Sequence, residues 1–274
     1  MSAARTVLLT RFLTAIVLLP LVLAGVYLLP ELHFAWVTAV IFALAAYEWV
    51  QLTLGPASGW RWLFYAGFSA VCAFAWAYEQ TVGQALLWVA SIGWLWAIWE
   101  VVRVKTSLTV DARVRPHWVA LGLILLPGAW LGLAVLRAND PHLLVAVCLV
   151  VWGADIGAYF VGRAIGRRKL APYVSPGKTW EGALGGSVVG TLAALGFAAY
   201  FNVWAVSVAL VVGLVALTGL AVFGDLFESV LKRVRGAKDS GRLLPGHGGV
   251  LDRVDALIAV LPVAALGTLL ATGG

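Results

Sequence analysis

The chain has 274 residues, 62% of them hydrophobic and only 12% charged, with a mean hydropathy of +0.95. Soluble domains run at about 45–50% apolar and about 25% charged, so this composition excludes a disordered chain, a secreted disulfide scaffold and a water-soluble enzyme. The net charge of +6 does not imply nucleic acid here, because a basic excess in a membrane chain reflects topology and anionic lipid.

Apolar stretches of membrane-crossing length run over residues 12–29, 33–54, 62–78, 84–102, 118–136, 143–161, 183–201, 203–223 and 256–272. Most approach the ~20 residues that a helix needs to cross the hydrocarbon, and lipid leaves the backbone no other way to satisfy its polar groups. The expectation is an all-α polytopic membrane protein with about nine transmembrane helices. Residues 1–140 hold about five of these spans, and residues 141–274 form a second part that carries the polar chemistry. Arg5 and Arg11 precede the first span as in a signal peptide, but no small-x-small cleavage site follows, so this span is expected to be retained. Cys72 and Cys148 lie far apart within apolar runs, too few for a disulfide framework or zinc cluster. The 14 Trp residues suit the aromatic belts at the two membrane interfaces.

With nine spans, the side that holds the N-terminus receives all of the 19 basic residues except Arg137. By the positive-inside rule that side is cytoplasmic. Three acids, Glu48, Glu100 and Asp155, fall in the cytoplasmic halves of their spans. For Glu48 and Glu100, helix-packing hydrogen bonds and a functional role stand level. For Asp155 function is favoured, since Gly153, Gly157 and Gly162 flank it and a basic loop follows.

Two polar stretches interrupt the spans on this side, residues 162–181 and 224–255, the second read as a long loop. In it Asp225, Asp239, Asp252 and Asp255 are hard oxygen ligands of the kind Mg²⁺ takes beside substrate phosphates. Asp252 and Asp255 stand at helical i, i+3 spacing, which puts both carboxylates on one face. Lys232, Arg233, Lys238, Arg242 and Arg253 alternate with these acids. Alternating cations and carboxylates suit a polyphosphate–metal complex, in which the metal bridges oxygens and Lys or Arg neutralises the rest. A loop that only bound anionic lipid would have no use for four aspartates. Residues 246–249 are rich in Gly, so backbone amides can approach a phosphate. The run Ser175-Pro176-Gly177-Lys178-Thr179 ends like a P-loop, but Pro172 stands where that motif needs its first Gly. The Walker reading is rejected, and Lys178 and Thr179 are kept as phosphate contacts.

The pattern Ser229-x-Leu231-Lys232-Arg233-x₄-Lys238-Asp239-x-Gly241-x₂-Leu244-Pro245-x-His247-Gly248-Gly249-Val250-x-Asp252-Arg253-Val254-Asp255 resembles the complete signature of the phosphatidate cytidylyltransferases, the CDP-diacylglycerol synthases. Residues 155–163 and 175–182 also resemble segments of that family, with Gly177 where some members carry a second Lys. Before residue 140 the likeness reduces to hydropathy and the pair Glu48-Trp49.

The resemblance implies an integral membrane enzyme of the bacterial inner membrane, with its active site facing the cytoplasm. It would join CTP to phosphatidic acid to give CDP-diacylglycerol and pyrophosphate. It also implies Mg²⁺, in some members with a monovalent cation such as K⁺, and a homodimer. Carried over residue by residue, it gives Asp225 and Asp252 metal and catalytic roles, Asp255 a further metal contact, and Lys232 the neutralisation of transition-state charge. Substrate contacts fall to Asp155, Ser175, Lys178, Thr179, Arg233, Lys238, Asp239, His247, Gly248, Gly249 and Arg253. His247 is either an acid for the leaving group or a hydrogen-bonding residue of its loop. A cytidylyltransferase for another lipid phosphate shares this signature. The CDP-alcohol phosphotransferases do not, since they place Gly-x₃-Asp-x₃-Asp after Asp-Gly-x₂-Ala-Arg, which this chain lacks. A transporter would hold its polar residues at the midplane of repeated bundles, whereas here they gather in the loops of one side.

Overall fold

A computed structural model describes residues 19–55, 58–111, 113–243 and 248–272. The helices are α1 (Leu19–Leu28), α2 (Glu31–Thr53), α3 (Arg61–Ala77), α4 (Gln84–Val102), α5 (Pro116–Asn139), α6 (Pro141–Ile165), α7 (Trp180–Phe201), α8 (Val208–Val234) and α9 (Leu251–Thr272). A π-helical turn, Glu79–Gly83, leads into α4. Seven of these helices are long and apolar enough to cross a membrane, the fourth counted together with its π turn. The expected third span, α3, has 17 residues and falls below that length. The beginning of the expected first span, with Arg5 and Arg11, lies outside the described residues.

The helical expectation needs one correction. Residues 162–181 are not a plain loop but contain a small antiparallel hairpin, β1 (Lys169–Ala171) with β2 (Ser175–Thr179), in the register Lys169↔Thr179 and Ala171↔Ser175. Its base is closed by Glu181, whose carboxylate accepts from the backbone N–H of Arg167 at 3.0 Å and of Arg168 at 3.1 Å.

Helix α5 is the buried axis of the bundle, packed against α2, α3, α4 and α9. Buried tryptophans pin this core: the indole N–H of Trp49 donates to the Trp118 carbonyl at 3.0 Å, that of Trp94 to Ile258 at 3.2 Å, and that of Trp130 to Ala35 at 3.1 Å. The Trp excess therefore serves the interior as well as the interfaces, each buried ring bringing area and each N–H a partner on a neighbouring helix. Helices α6 and α7 form the most extensive pair, with Gly153, Gly157, Gly186 and Gly190 at their contact, the small-residue packing that lets membrane helices approach closely.

The polar segments converge at one end of the bundle. The Asp111 N–H donates to the Val234 carbonyl at 2.8 Å, and Arg235 donates to the Leu52 carbonyl at 2.6 Å, closing the ends of α8 and α2 together. At the other end stands Arg137, which donates to the Leu29 carbonyl at 3.2 Å beyond the end of α1. In a background lacking Cys72 and Cys148, an impermeant thiol reagent applied to intact cells should label Val206→Cys, in the α7–α8 connection, and spare Gly177→Cys on the hairpin. The reverse pattern of labelling by mass would overturn the orientation.

Candidate active site

Helix α8 does not stop where its apolar run ends at Phe223 but continues to Val234. The expected long loop is thus helical at its beginning, and α9 takes up its end from Leu251. Continuing α8 places Asp225, Glu228, Ser229 and Lys232 on one face by their i, i+3, i+4 and i+7 spacing. Leu226, Phe227, Val230, Leu231 and Val234 bury between these positions.

Lys232 is 9% exposed and lies between two carboxylates. Its Nζ contacts Glu228 Oε2 on the same helix and Asp252 Oδ1 on α9, the latter at 2.6 Å. The other oxygen of Asp252, Oδ2, accepts from the Ser240 N–H at 2.9 Å, the Ser240 hydroxyl at 2.9 Å and the Gly249 N–H at 2.8 Å. Asp252 thus holds both Lys232 and the connection before α9.

A second ion pair stands beside the first. Lys178 Nζ, at the end of β2, is 2.7 Å from Asp225 Oδ2, and Ser229 Oγ donates to Asp225 Oδ1 at 3.3 Å. Gly224 brings α8 against α9 here: a Cβ at this position would sit 2.7 Å from the Asp255 carbonyl oxygen and 2.9 Å from Ala256 Cα. This crossing sets Asp225 and Asp255 within electrostatic reach of each other, of Lys178 and of Lys232. From α6, Asp155 stands within electrostatic reach of Lys178, Asp225 and Arg253.

Of the residues expected from sequence, the fold thus gathers Asp155, Lys178, Asp225, Lys232, Asp252, Asp255 and Arg253. Ser175 pairs in β2 opposite Ala171. Thr179 caps α7, its hydroxyl accepting from the Gly182 N–H at 3.1 Å, and the segment before it is an extended strand rather than a phosphate-cradling loop. Arg233 is exposed and donates to the Ala237 carbonyl at 3.2 Å. Lys238 and Asp239 are exposed. Gly248 adopts φ +81°, and Gly249 packs against Ser240 and Glu48. His247 lies outside the described residues. Glu100 belongs elsewhere, paired with Arg103 at 3.0 Å.

Two acids of the site carried no assigned role from sequence. Glu228 shares Lys232 with Asp252, and its Oε1 is buried with no hydrogen-bond partner among the described residues. Its i, i+4 spacing to Lys232 is the signal that would have found it. Glu48 reaches in from α2, where its Oε2 accepts from the Ser240 hydroxyl at 2.8 Å; the Glu48-Trp49 pair that resembles the family marked the residue but not its partner.

Among the described residues no three His, Cys, Asp or Glu side chains converge to cage a metal unaided. Mg²⁺ does not ask for that, since it is usually held by one or two carboxylates together with waters and substrate phosphates. Asp225 and Asp255, neighbours across the α8–α9 crossing, fit that demand, and the unpartnered Glu228 oxygen marks negative charge in surplus over Lys232.

A sequence model of the cytidylyltransferase family matches residues 9–270. The chain is 40% identical over 260 residues to a phosphatidate cytidylyltransferase of Pseudomonas aeruginosa, covering 93% of this chain and 94% of that one. It is 36% identical over 281 residues to the phosphatidate cytidylyltransferase of Haemophilus influenzae, covering 92% and 95%. To that of Bacillus subtilis it is 32% identical over 267 residues, covering 93% of each chain. The chain belongs to the cytidylyltransferase family, which makes it a membrane-embedded nucleotidyltransferase.

The packing of Gly249 gives a direct check on this geometry. Gly249→Ala drives a methyl group into Glu48 and Ser240 and should lower stability by about 1–3 kcal/mol, read by thermal unfolding in detergent. Gly177→Ala, with no atom within 4 Å of the added carbon, should leave it unchanged.

Proposed function

We propose that this protein transfers the CMP group of CTP to phosphatidate, forming CDP-diacylglycerol and releasing pyrophosphate, at the cytoplasmic face of a bacterial inner membrane. The observation that carries the reading is Lys232, nearly buried and aimed by Asp252 and Glu228 beside the Lys178–Asp225 pair. The extent and identity of the matches to bacterial phosphatidate cytidylyltransferases support the substrate pair, and the one-sided distribution of basic residues supports the orientation.

The chemistry follows from charge. A phosphate monoester has its second pKa near ~6, so phosphatidate arrives largely dianionic and needs no strong base. Its oxygen forms a bond to the α-phosphorus of CTP while the bond from that phosphorus to the β-phosphate oxygen breaks, and pyrophosphate leaves with that electron pair. The main obstacle is the repulsion of two anions, so the protein contributes position and electrostatic stabilisation. Lys232 neutralises charge on the α-phosphate oxygens. Lys178 and Arg253 hold phosphates, Lys178 exchanging its carboxylate partner for substrate. Asp225 and Asp255 would hold Mg²⁺, which when bound would supply charge neutralisation on the nucleotide phosphates. Asp252 keeps Lys232 in place, and a monovalent cation such as K⁺ is compatible with the remaining carboxylate charge.

Purified protein in detergent with phosphatidate, CTP and Mg²⁺ should form CDP-diacylglycerol and pyrophosphate in equal amounts, and chelation by EDTA should abolish both until Mg²⁺ is restored. No product from phosphatidate would reject the reading. Lys232→Ala should lower kcat by roughly 10²–10³, the scale of removing one oriented stabilising group. Lys232→Arg retains the buried charge and hence the fold, but its planar fork should not restore the rate. With folding checked by size exclusion, kcat above about a third of wild type in Lys232→Ala would assign Lys232 to binding only.

A further inference from the structure

Glu48 is a buried carboxylate, 1% exposed, on α2. Among the described residues no cation pairs with it. What it accepts instead comes from the connection into α9: the Val250 N–H at 3.1 Å to Oε1, and the Leu251 N–H at 2.8 Å and Ser240 hydroxyl at 2.8 Å to Oε2. The two amides are donors at the very start of α9, which its own helical ladder leaves without partners. A carboxylate there satisfies them with charge-assisted bonds and stands at the favourable end of the helix dipole. Glu48 therefore caps α9 from a helix some two hundred positions earlier in the chain.

That cap is joined to the reacting groups through one residue. The Ser240 hydroxyl lies 2.8 Å from Glu48 Oε2 and 2.9 Å from Asp252 Oδ2, so its single proton is shared between two carboxylates, and Asp252 in turn holds Lys232. Backbone glycine at Gly241 and Gly249 leaves room for the Glu48 carboxylate, since a Cβ at either position would overlap it. The next residue of α2 anchors the arrangement: the Trp49 indole donates to the Trp118 carbonyl at 3.0 Å and its ring lies 6.0 Å from that of Phe227, adjacent to Glu228 on α8.

We infer that Glu48 is a positioning residue of the transferase reaction: by capping α9 and holding Ser240, it fixes Asp252 and through it the Lys232 ammonium. Glu48 touches none of the reacting atoms in this scheme. The inference rests on the proposed reaction for its kinetic arm and on geometry alone for its structural arm.

The test uses full-length protein in detergent with phosphatidate. Glu48→Gln keeps the shape but presents an amide NH₂ to a set of donors. It should lower kcat by about tenfold or more at saturating substrates, the consequence of displacing a reacting group slightly, while KM for CTP and for phosphatidate shifts less than about threefold. Glu48→Asp should recover part of the loss. The double variant Glu48→Gln with Ser240→Ala should be no slower than the slower single variant, because both act through one chain of contacts. Hydrogen exchange read by mass spectrometry should quicken about tenfold at residues 248–252 and stay unchanged in α6 and α7. The inference is overturned by a kcat within threefold of wild type, by kinetic losses that multiply in the double variant, or by exchange that quickens evenly across the bundle. If Glu48→Gln does not fold, Glu48→Asp, whose shorter side chain withdraws the charge from α9, is read by exchange: quickening confined to residues 248–252 supports the inference, and even or absent quickening overturns it. If the wild type makes no CDP-lipid, the proposed reaction falls, and the exchange pattern alone decides the role of Glu48.

Discussion

An ammonium group removed from water at the edge of a membrane survives only with carboxylates around it, and Lys232 has two. Removing either partner from a buried ion pair costs about 3–5 kcal/mol, so the placement of Glu228 and Asp252 constrains much of the surrounding fold. Glu228 comes from the same helix, which obliges α8 to continue well past its apolar part. Asp252 comes from α9, which obliges α9 to begin at a defined residue and at a defined distance from α8. Gly224 permits that distance. One cation between two acids leaves negative charge over, and the Lys178–Asp225 pair and Arg253 stand where that excess is felt. A site so composed is ready for a ligand that brings its own cations, as a nucleotide with its metal does.

Much of this was legible in the order of residues, for identifiable reasons. Long apolar runs located the helices because lipid permits little else, and the dense set of cations, acids and glycines over residues 229–255 located the chemistry. The extent of α8 was misread because polarity suggested a loop, although Leu226, Phe227, Val230, Leu231 and Val234 already carried a helical period opposite the polar face. The hairpin escaped notice because strands of three and five residues interrupted by Pro and Gly leave almost no periodic trace. Glu48 escaped assignment for a different reason. Its partners lie some two hundred positions away, so only the packing of α2 against α9 brings them together.

The N-terminal helices, where sequence reading saw little beyond hydropathy and the pair Glu48-Trp49 but which the family match covers from residue 9, thereby acquire a physical task. Trp49, Trp94 and Trp130 each donate an indole N–H to a carbonyl beyond their own helix, and in lipid such a bond has no water to compete with it. These pins hold α2 and α4 against the α5–α9 pair, while Arg235 ties the end of α8 to the last carbonyls of α2. The first half of the chain is in this sense a frame for the second.

A frame of this kind answers a problem specific to this chemistry. When the reacting groups are anions and the protein supplies no covalent step, rate depends on how well charge is held in place before substrate arrives, because a side chain that must reorganise during the reaction returns part of its stabilisation. Loop residues hold position poorly, yet the signature segment is mostly connection. Its fixed points are the ones tied to helices: Lys232 and Glu228 on α8, Asp252 and Asp255 on α9, Lys178 on a hairpin closed by Glu181 at the start of α7. Ser240 is the one residue of the described connection that bonds two carboxylates at once, and one of those carboxylates belongs to α2. Anchoring the connection at a single hydroxyl between two helices gives the site rigidity where the charge is needed, while Lys238 and Asp239 beside it remain exposed.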